Sequence, residues 1–298
     1  MQLKTSISIL IPTFNDICID TVRTLQRQAQ RAEGLTYEIL VADDGSTQPE
    51  VVEANMAIND LPHCRYIVRH ENVGRAAIRN FLASSAINDW LLFIDSGMGI
   101  GDEEFLNRYI AAEGDVVCGG YRVEGDGTNL SSNLRFLYEK AAESSLLAEN
   151  RRQEPHHNFH TSNFLIEKSI YLAHPLDTRF RRYGYEDVLM GKQLQMAGIG
   201  IEHIDNPVVF NRFEENARFM EKTEEAIQTL CDFSEDLSGF SRLLATSRKM
   251  KHTGLSRLFL LIYKMRKNKW RSNLCGPSPS LFVFKCYKLG YLLALDEG

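Results

Sequence analysis

The sequence predicts an α/β fold: a mixed, mostly parallel sheet with helices on both faces, followed by a helical extension at the C-terminus. Short apolar runs rich in β-branched residues alternate with segments of helical periodicity. The runs include continuous apolar stretches, such as residues 9–11 and 90–94, which is the pattern of a sheet covered on both sides. Beyond residue 214 the strand pattern stops and only helical periodicity remains.

Residues 6–11 (SISILI) form the first run, closed by Pro12. Residues 16–30 then place Ile19, Val22, Leu25 and Ala29 at helical spacing, with Asp16 as the expected N-cap. Residues 37–42 (YEILVA) give a second buried strand that runs into Asp43, Asp44, Gly45 and Ser46. A helix over 51–59 and a strand over 65–69 follow. A helix over 75–86 starts near Gly74, and residues 90–94 (WLLFI) form a fourth buried strand ending at Asp95. In the second half, strands are expected over 116–118, 161–166 and 199–204. Helices are expected over 130–150 and 186–197, the latter stopped by Gly198. Helices over 214–233, 237–251, 255–267 and 281–295 complete the chain, with a Gly-Pro-Ser-Pro break before the last.

The 298 residues are 44% hydrophobic and 24% charged, which excludes a disordered, collagen-like or disulfide-scaffold chain. A net charge of −5 excludes a general nucleic-acid binder. The charge is uneven: residues 248–290 hold 11 Lys/Arg and no Asp/Glu, whereas residues 1–247 hold 23 basic and 37 acidic residues. A basic segment on an acidic body points to an anionic surface as partner. No apolar run reaches the roughly 18 residues that span a bilayer, and the N-terminal apolar stretch is too short for a secretory leader. A cytoplasmic protein is expected. The six cysteines form no CxxC pair and read as small apolar residues.

Polar residues gather at three strand ends: Thr13 and Asn15, Asp43 and Asp44, and Asp95. In open α/β sheets, ligands sit outside the carboxyl ends of the strands. Each cluster alone is also what a turn requires. Three together point to a site.

Five short motifs occur in order across residues 7–216. They are Ile11-Pro12-Thr13-Phe14-Asn15, Val41-Ala42-Asp43-Asp44-Gly45-Ser46, Glu71-Asn72-Val73-Gly74-Arg75 with Arg79-Asn80, Phe93-Ile94-Asp95-Ser96, and Gly184-Tyr185-Glu186-Asp187. With His203-Ile204-Asp205-Asn206-Pro207, this set resembles the family 2 glycosyltransferases of the bacterial sugar-transferase type. The resemblance implies a GT-A nucleotide-sandwich fold over residues 1–230, with 231–298 as a helical, basic extension. It implies an inverting hexosyltransferase that moves a sugar from a nucleotide-sugar, commonly UDP-linked, to a hydroxyl of a glycan or glycolipid. Pro12, Thr13, Asn15, Asp44, Asp95 and Ser96 are then the nucleotide-binding positions, with Asp44 facing the uracil and Asp95 the ribose hydroxyls or a metal. Arg75 and Arg79 lie one helical turn apart and would offset the charge that develops on the leaving diphosphate. Asp187 is the expected catalytic base, taking the proton of the attacking hydroxyl, with Glu186 beside it as an orienting group. Two acids opening a helix also complement its dipole without any chemistry.

The chain departs from the family pattern at two points. The D-x-D that holds Mn²⁺ or Mg²⁺ is Asp95-Ser96-Gly97, and the position of a further His ligand falls on Phe210. Three readings stay open: a metal-independent enzyme, a metal held mainly by the donor and water, or a non-catalytic relative acting as a binding or assembly subunit. His156 and His160 have i, i+4 spacing, but Pro155 precedes them and no third ligand is visible, so a loop lining the acceptor side is expected. His203 reads as structural. No GxGxxG opens the first helix, which argues against a dinucleotide oxidoreductase. No glycine-rich basic loop follows the first strand, which argues against a nucleotidyltransferase. Residues 256–271 mix large apolar and basic residues. They read either as a membrane-interface helix or as a packed helix with solvated cations. The family's frequent use of lipid-linked acceptors implies a peripheral place at the inner membrane face.

Overall fold

The computed structural model describes residues 4–297. In chain order its elements are β1 (Ser6–Thr13), α1 (Ile19–Arg31), β2 (Thr36–Asp43), α2 (Pro49–Met56), β3 (Cys64–Val68), α3 (Arg75–Ser85) and β4 (Trp90–Ile94). Then come α4 (Phe105–Ala111), β5 (Val116–Cys118), β6 (Tyr121–Val123), α5 (Leu134–Ala141), α6 (Ala148–Arg151), β7 (Asn163–Glu167) and α7 (Lys168–Ala173). The remainder is α8 (Glu186–Met196), β8 (Glu202–His203), β9 (Val208–Phe210), α9 (Asn216–Asp232), α10 (Arg242–His252), α11 (Ser256–Cys275) and α12 (Leu281–Leu295). The chain divides into two compact units. The first holds the residues up to Arg122 with Ser144–Arg181 and Met190–Asn211; the second holds Val123–Glu143, Arg182–Leu189 and the residues from Arg212 onward.

The first unit is built on a seven-stranded sheet in the order β3-β2-β1-β4-β7-β5-β8. β1 pairs in parallel with β2 and β4, and β2 with β3. β7 runs antiparallel between β4 and β5, so the sheet is mixed as expected. Successive strand residues point to opposite faces, and both faces are covered. Ile7, Ile9 and Ile11 pack with Val22 and Leu25 of α1 and Phe105 and Tyr109 of α4. Leu10, Leu40 and Ala42 pack on the other face with Ala76, Ile78 and Leu82 of α3. Phe93 and Phe164 stack across β4 and β7 at 4.8 Å between centroids. Each such side chain contributes about 1.5–3 kcal/mol by leaving water, while Ser8, buried within β1, is satisfied by donating to Glu38 Oε1 at 2.6 Å.

The second unit has its own core. Leu134 of α5, Phe219 and Met220 of α9, Leu260 and Tyr263 of α11, and Phe284, Tyr287 and Leu293 of α12 form it. At Gly290 a Cβ would lie 2.2 Å from the Tyr263 ring, so α12 approaches α11 at a residue that must have no side chain.

Several local expectations need correction. Asp16 is not the cap of α1: Cys18 holds that position without a side-chain cap, and its N–H is taken by Asn55 Oδ1 at 3.0 Å. The helix expected over 130–150 starts only at Leu134, where Asn133 caps α5, and breaks after Ala141 before a short α6 whose Arg151 turns inward. The strand over 199–204 shrinks to Glu202–His203 beside two glycines. α11 runs on to Cys275, since nothing before Gly276 and Pro277 interrupts it. α4, β6, α7 and β9 were not anticipated; they are three to seven residues long, too short for periodicity to mark. No described helix is long and apolar enough to cross a membrane. The reading of the N-terminal leader rests partly on residues 1–3, which lie outside the described residues.

Candidate active site

Because β1 to β4 run parallel, their carboxyl ends share one edge, and three of the predicted clusters meet there. Asp43 closes β2 and is fully buried; it accepts the N–H of Ser46 at 2.6 Å and the hydroxyl of Tyr66. Asp44 accepts the N–H groups of Val73 (2.9 Å) and Gly74 (3.0 Å), which fixes where α3 begins. Burial raises the pKa of Asp44, while those two N–H groups and Arg69 oppose the shift. At Gly45 φ is 76°, and a Cβ there would lie 2.8 Å from the backbone of Glu71 and Asn72. The Asp-Asp-Gly-Ser turn is thus a seat for the 71–74 loop. Asn15, at φ 51°, accepts N–H bonds from Thr47 and Gln48 and gives its own N–H to Ser46 Oγ. Thr13 Oγ1 donates to the Asp16 carbonyl at 3.0 Å, and Pro12 sits within β1 opposite Ala42. Thr13 and Asn15 therefore also brace the edge that the sequence assigned to nucleotide binding. Asp44 keeps carboxylate lone pairs beyond its two N–H partners.

Asp95 leaves β4 and is gripped from α3. Arg79 Nη2 meets Asp95 Oδ1, and Arg75 Nη2 lies 3.1 Å from Asp95 Oδ2. Arg79 is 1% exposed and also donates to the Arg75 carbonyl at 3.0 Å, whereas Arg75 is 41% exposed. Burial opposes ionisation of Asp95, but Arg79 and Arg75 outweigh it and hold the carboxyl below its usual range. Two guanidiniums on one carboxylate leave one positive charge in excess within this three-residue cluster. Ser96 lies in the turn that follows, closed by the Met98 N–H on the Asp95 carbonyl at 3.1 Å. Asn80 brackets the Leu176 backbone and accepts the Tyr171 hydroxyl at 2.9 Å.

The side chains here do not fit a resident Mn²⁺ or Mg²⁺, which needs several free oxygen ligands. Both Asp95 oxygens are engaged by cations, and Gly97 offers no ligand atom. Phe210 sets its ring edge-on to Tyr121 at 6.3 Å. Among the described residues no group of three or more His, Cys, Asp or Glu is placed to hold a metal. Neither His156, in a turn, nor His160, in an irregular segment, lies on a helix: His156 Nε2 bonds the Ile199 carbonyl at 2.8 Å, and His160 meets the Tyr121 ring. His203 is a buried strut. Its Nδ1 meets Arg151 Nη1 at 2.6 Å and its Nε2 meets the Pro155 carbonyl at 2.9 Å, which requires the neutral Nε2–H tautomer. Burial, opposed by the Pro155 carbonyl and reinforced by Arg151, lowers its pKa to about 4.

In the second unit, Glu186 and Asp187 open α8. Glu186 is buried and Asp187 half-buried. The turn before them has positive φ at Gly184 (95°) and at Tyr185 (71°). A tyrosine in that region costs on the order of 1–3 kcal/mol, so the turn is held from outside. Its brackets come from α9: Glu225 accepts the Tyr183 N–H, Thr229 Oγ1 donates to the Tyr183 carbonyl, and Asp232 pairs with Arg182 at 2.9 Å. Nothing in the local sequence marks Tyr185 as strained, so this feature was missed. Burial, with Tyr138 and Asp187 nearby, pushes the Tyr185 phenol well up.

Comparison with known proteins agrees with this architecture. The model of the family described as "Glycosyl transferase family 2" matches residues 8–173. The chain belongs to glycosyl transferase family 2. The matched span of this family 2 chain runs from β1 through α7 and takes in the whole Asp44–Arg75–Arg79–Asp95 cluster. Uncharacterised glycosyltransferases of Rickettsia felis and Rickettsia conorii are each 32% identical over 94 residues, 31% of this chain. The match spans only 15% of the length of those relatives. Among solved structures, the fold resembles the mannosyltransferase PcManGT from Pyrobaculum calidifontis in complex with GDP-Man and Mn²⁺. The TM-score is 0.58 at 11% identity, covering 98% of this chain and 88% of that one. It also resembles S. aureus TarS 1–349 in complex with UDP, with a TM-score of 0.52 at 16% identity, covering 98% of this chain and 90% of that one. At such identities the likeness is one of fold.

Proposed function

We propose that the chain is an inverting glycosyltransferase that uses a nucleoside-diphosphate sugar, with UDP as the nucleotide, and offsets the diphosphate charge with Arg75 rather than a divalent cation. The observation that carries the reading is the paired grip of Arg75 and Arg79 on Asp95 at the carboxyl edge of β1, β2 and β4. In the proposed reaction the acceptor hydroxyl oxygen bonds to the anomeric carbon and its proton passes to the Asp187 carboxylate. The bond from that carbon to the β-phosphate oxygen breaks, and the diphosphate leaves with the electron pair. One displacement inverts the sugar. Arg79 is committed to Asp95, so the half-exposed Arg75 is the member of the pair that meets the diphosphate. Asp44 accepts an N–H of the base. The named neighbours, one with GDP-Man and one with UDP, support a nucleotide-sugar donor. The acceptor is a hydroxyl of a glycan or glycolipid.

Calorimetric titration of UDP, with Mn²⁺ and again with EDTA, tests this. Affinities within about threefold of each other are expected, and Arg75→Met should weaken both at least tenfold. Binding that requires Mn²⁺ overturns the guanidinium assignment. Absence of binding in both conditions, with GDP as well as UDP, removes the transferase reading in favour of a non-catalytic subunit.

A further inference from the structure

α11 has two apolar faces, and only one of them is used. Leu260, Tyr263 and Leu274 face the core of the second unit. On the outward side, Leu255 is 54% exposed, Leu258 60%, Leu261 57%, Ile262 42% and Met265 76%. At 100° per residue these five positions share an arc of roughly 120°. A helix packed on a soluble core ordinarily carries polar residues there. Scattered exposed leucines need no explanation, but a contiguous stripe does.

The stripe is framed by cations. Arg266 lies on one flank, Arg257 and Lys264 on the other, and Lys269 at its end; all four are exposed. Lys264 has a loose contact with Glu297 at 3.5 Å, while Arg257, Arg266 and Lys269 have no ion pair among the described residues. The surrounding segment, 248–290, holds no Asp or Glu at all. A second copy of the chain laid on this face would set cation against cation. An anionic lipid surface satisfies both the stripe and its frame: the apolar side chains enter the acyl boundary and the cations meet lipid phosphates.

We propose that the outward face of α11 docks this protein onto an anionic bilayer surface, lying in the interface rather than crossing it. The inference is independent of the transferase reading.

The test is sedimentation of the full chain with vesicles of phosphatidylcholine alone, or with about one-third phosphatidylglycerol, in about 0.1 M salt. At least tenfold stronger binding to the anionic vesicles is expected. Leu258→Gln, Leu261→Gln and Met265→Gln combined should reduce it at least tenfold, as should Arg257→Gln, Arg266→Gln and Lys269→Gln combined. Glutamine keeps helix propensity, and unchanged circular dichroism and melting establish that each variant is folded. No binding of the parent chain to anionic vesicles overturns the proposal. So does undiminished binding by the apolar variant, or a solution dimer that this variant abolishes.

Discussion

Asp187 and His203 are both strand-or-helix-end polar residues in the sequence, yet the structure gives them different surroundings. Asp187 is half-buried at the start of α8, its Oδ1 accepting the Val188 N–H at 2.8 Å, whereas His203 is sealed between Arg151 and Pro155. If Asp187 is the base, Asp187→Asn should lower sugar transfer by about 10²–10⁴-fold while UDP binding, read by calorimetry, stays unchanged. An active Asp187→Asn would remove that role. For His203 the expectation concerns stability. Its folded pKa is about 4 against 6.5 in the unfolded chain. Below pH 6.5 the unfolded chain therefore takes up a proton that the folded chain refuses. Stability is full above pH 6.5 and falls through the window down to pH 4, by on the order of 3 kcal/mol. Melting temperatures across that window should drop less steeply in His203→Gln than in the parent; parallel curves would contradict this. The sequence shows Arg75 and Arg79 to share a helix face and Asp95 to end a strand. That the two arginines close on that carboxylate was not readable, because it depends on how α3 lies along β4.

Helices and strands were easier to foresee than their ends. α12 is found at the predicted bounds, because Pro279 and Ser280 start it and its apolar residues run without a breaker. Helical periodicity alone runs α5 and α6 together, because the pull of Arg151 toward the carbonyls of Cys118, Gly119 and Ile204 is a contact between distant segments. Gly290 within α12 looks like a helix weakness in the sequence and is in fact a contact surface. Gly290→Val would force a branched side chain into the Tyr263 ring. A loss of about 3 kcal/mol in unfolding free energy is expected from such overpacking, measurable by denaturant titration. Gly290→Val combined with Tyr263→Leu should recover part of it; a neutral Gly290→Val would mean that α11 and α12 do not meet this closely.

At the scale of the molecule, the α/β class was legible because strands covered on both faces carry apolar side chains at successive positions, as in residues 9–11 of β1 and in β4. The separate core of α9, α11 and α12 was foreshadowed by the end of strand periodicity near residue 214, but the recruitment of α5 to that core was not, since only packing reveals it. The position of β7 was likewise hidden: nothing in NFLIE says that it runs antiparallel between β4 and β5. That placement bears on how the protein is made. β1 to β4 leave the ribosome within the first 94 residues, and β5 follows by residue 118. β5 has no sheet partner except β7 and β8, which have yet to be synthesised. At roughly 5–20 residues per second, the growing polypeptide presents the bare flank of WLLFI for several seconds until residue 167 emerges. A nascent chain arrested in that interval carries an unsatisfied, apolar strand edge, the kind that recruits chaperones or other chains. Translation past β7 is the moment at which this hazard ends.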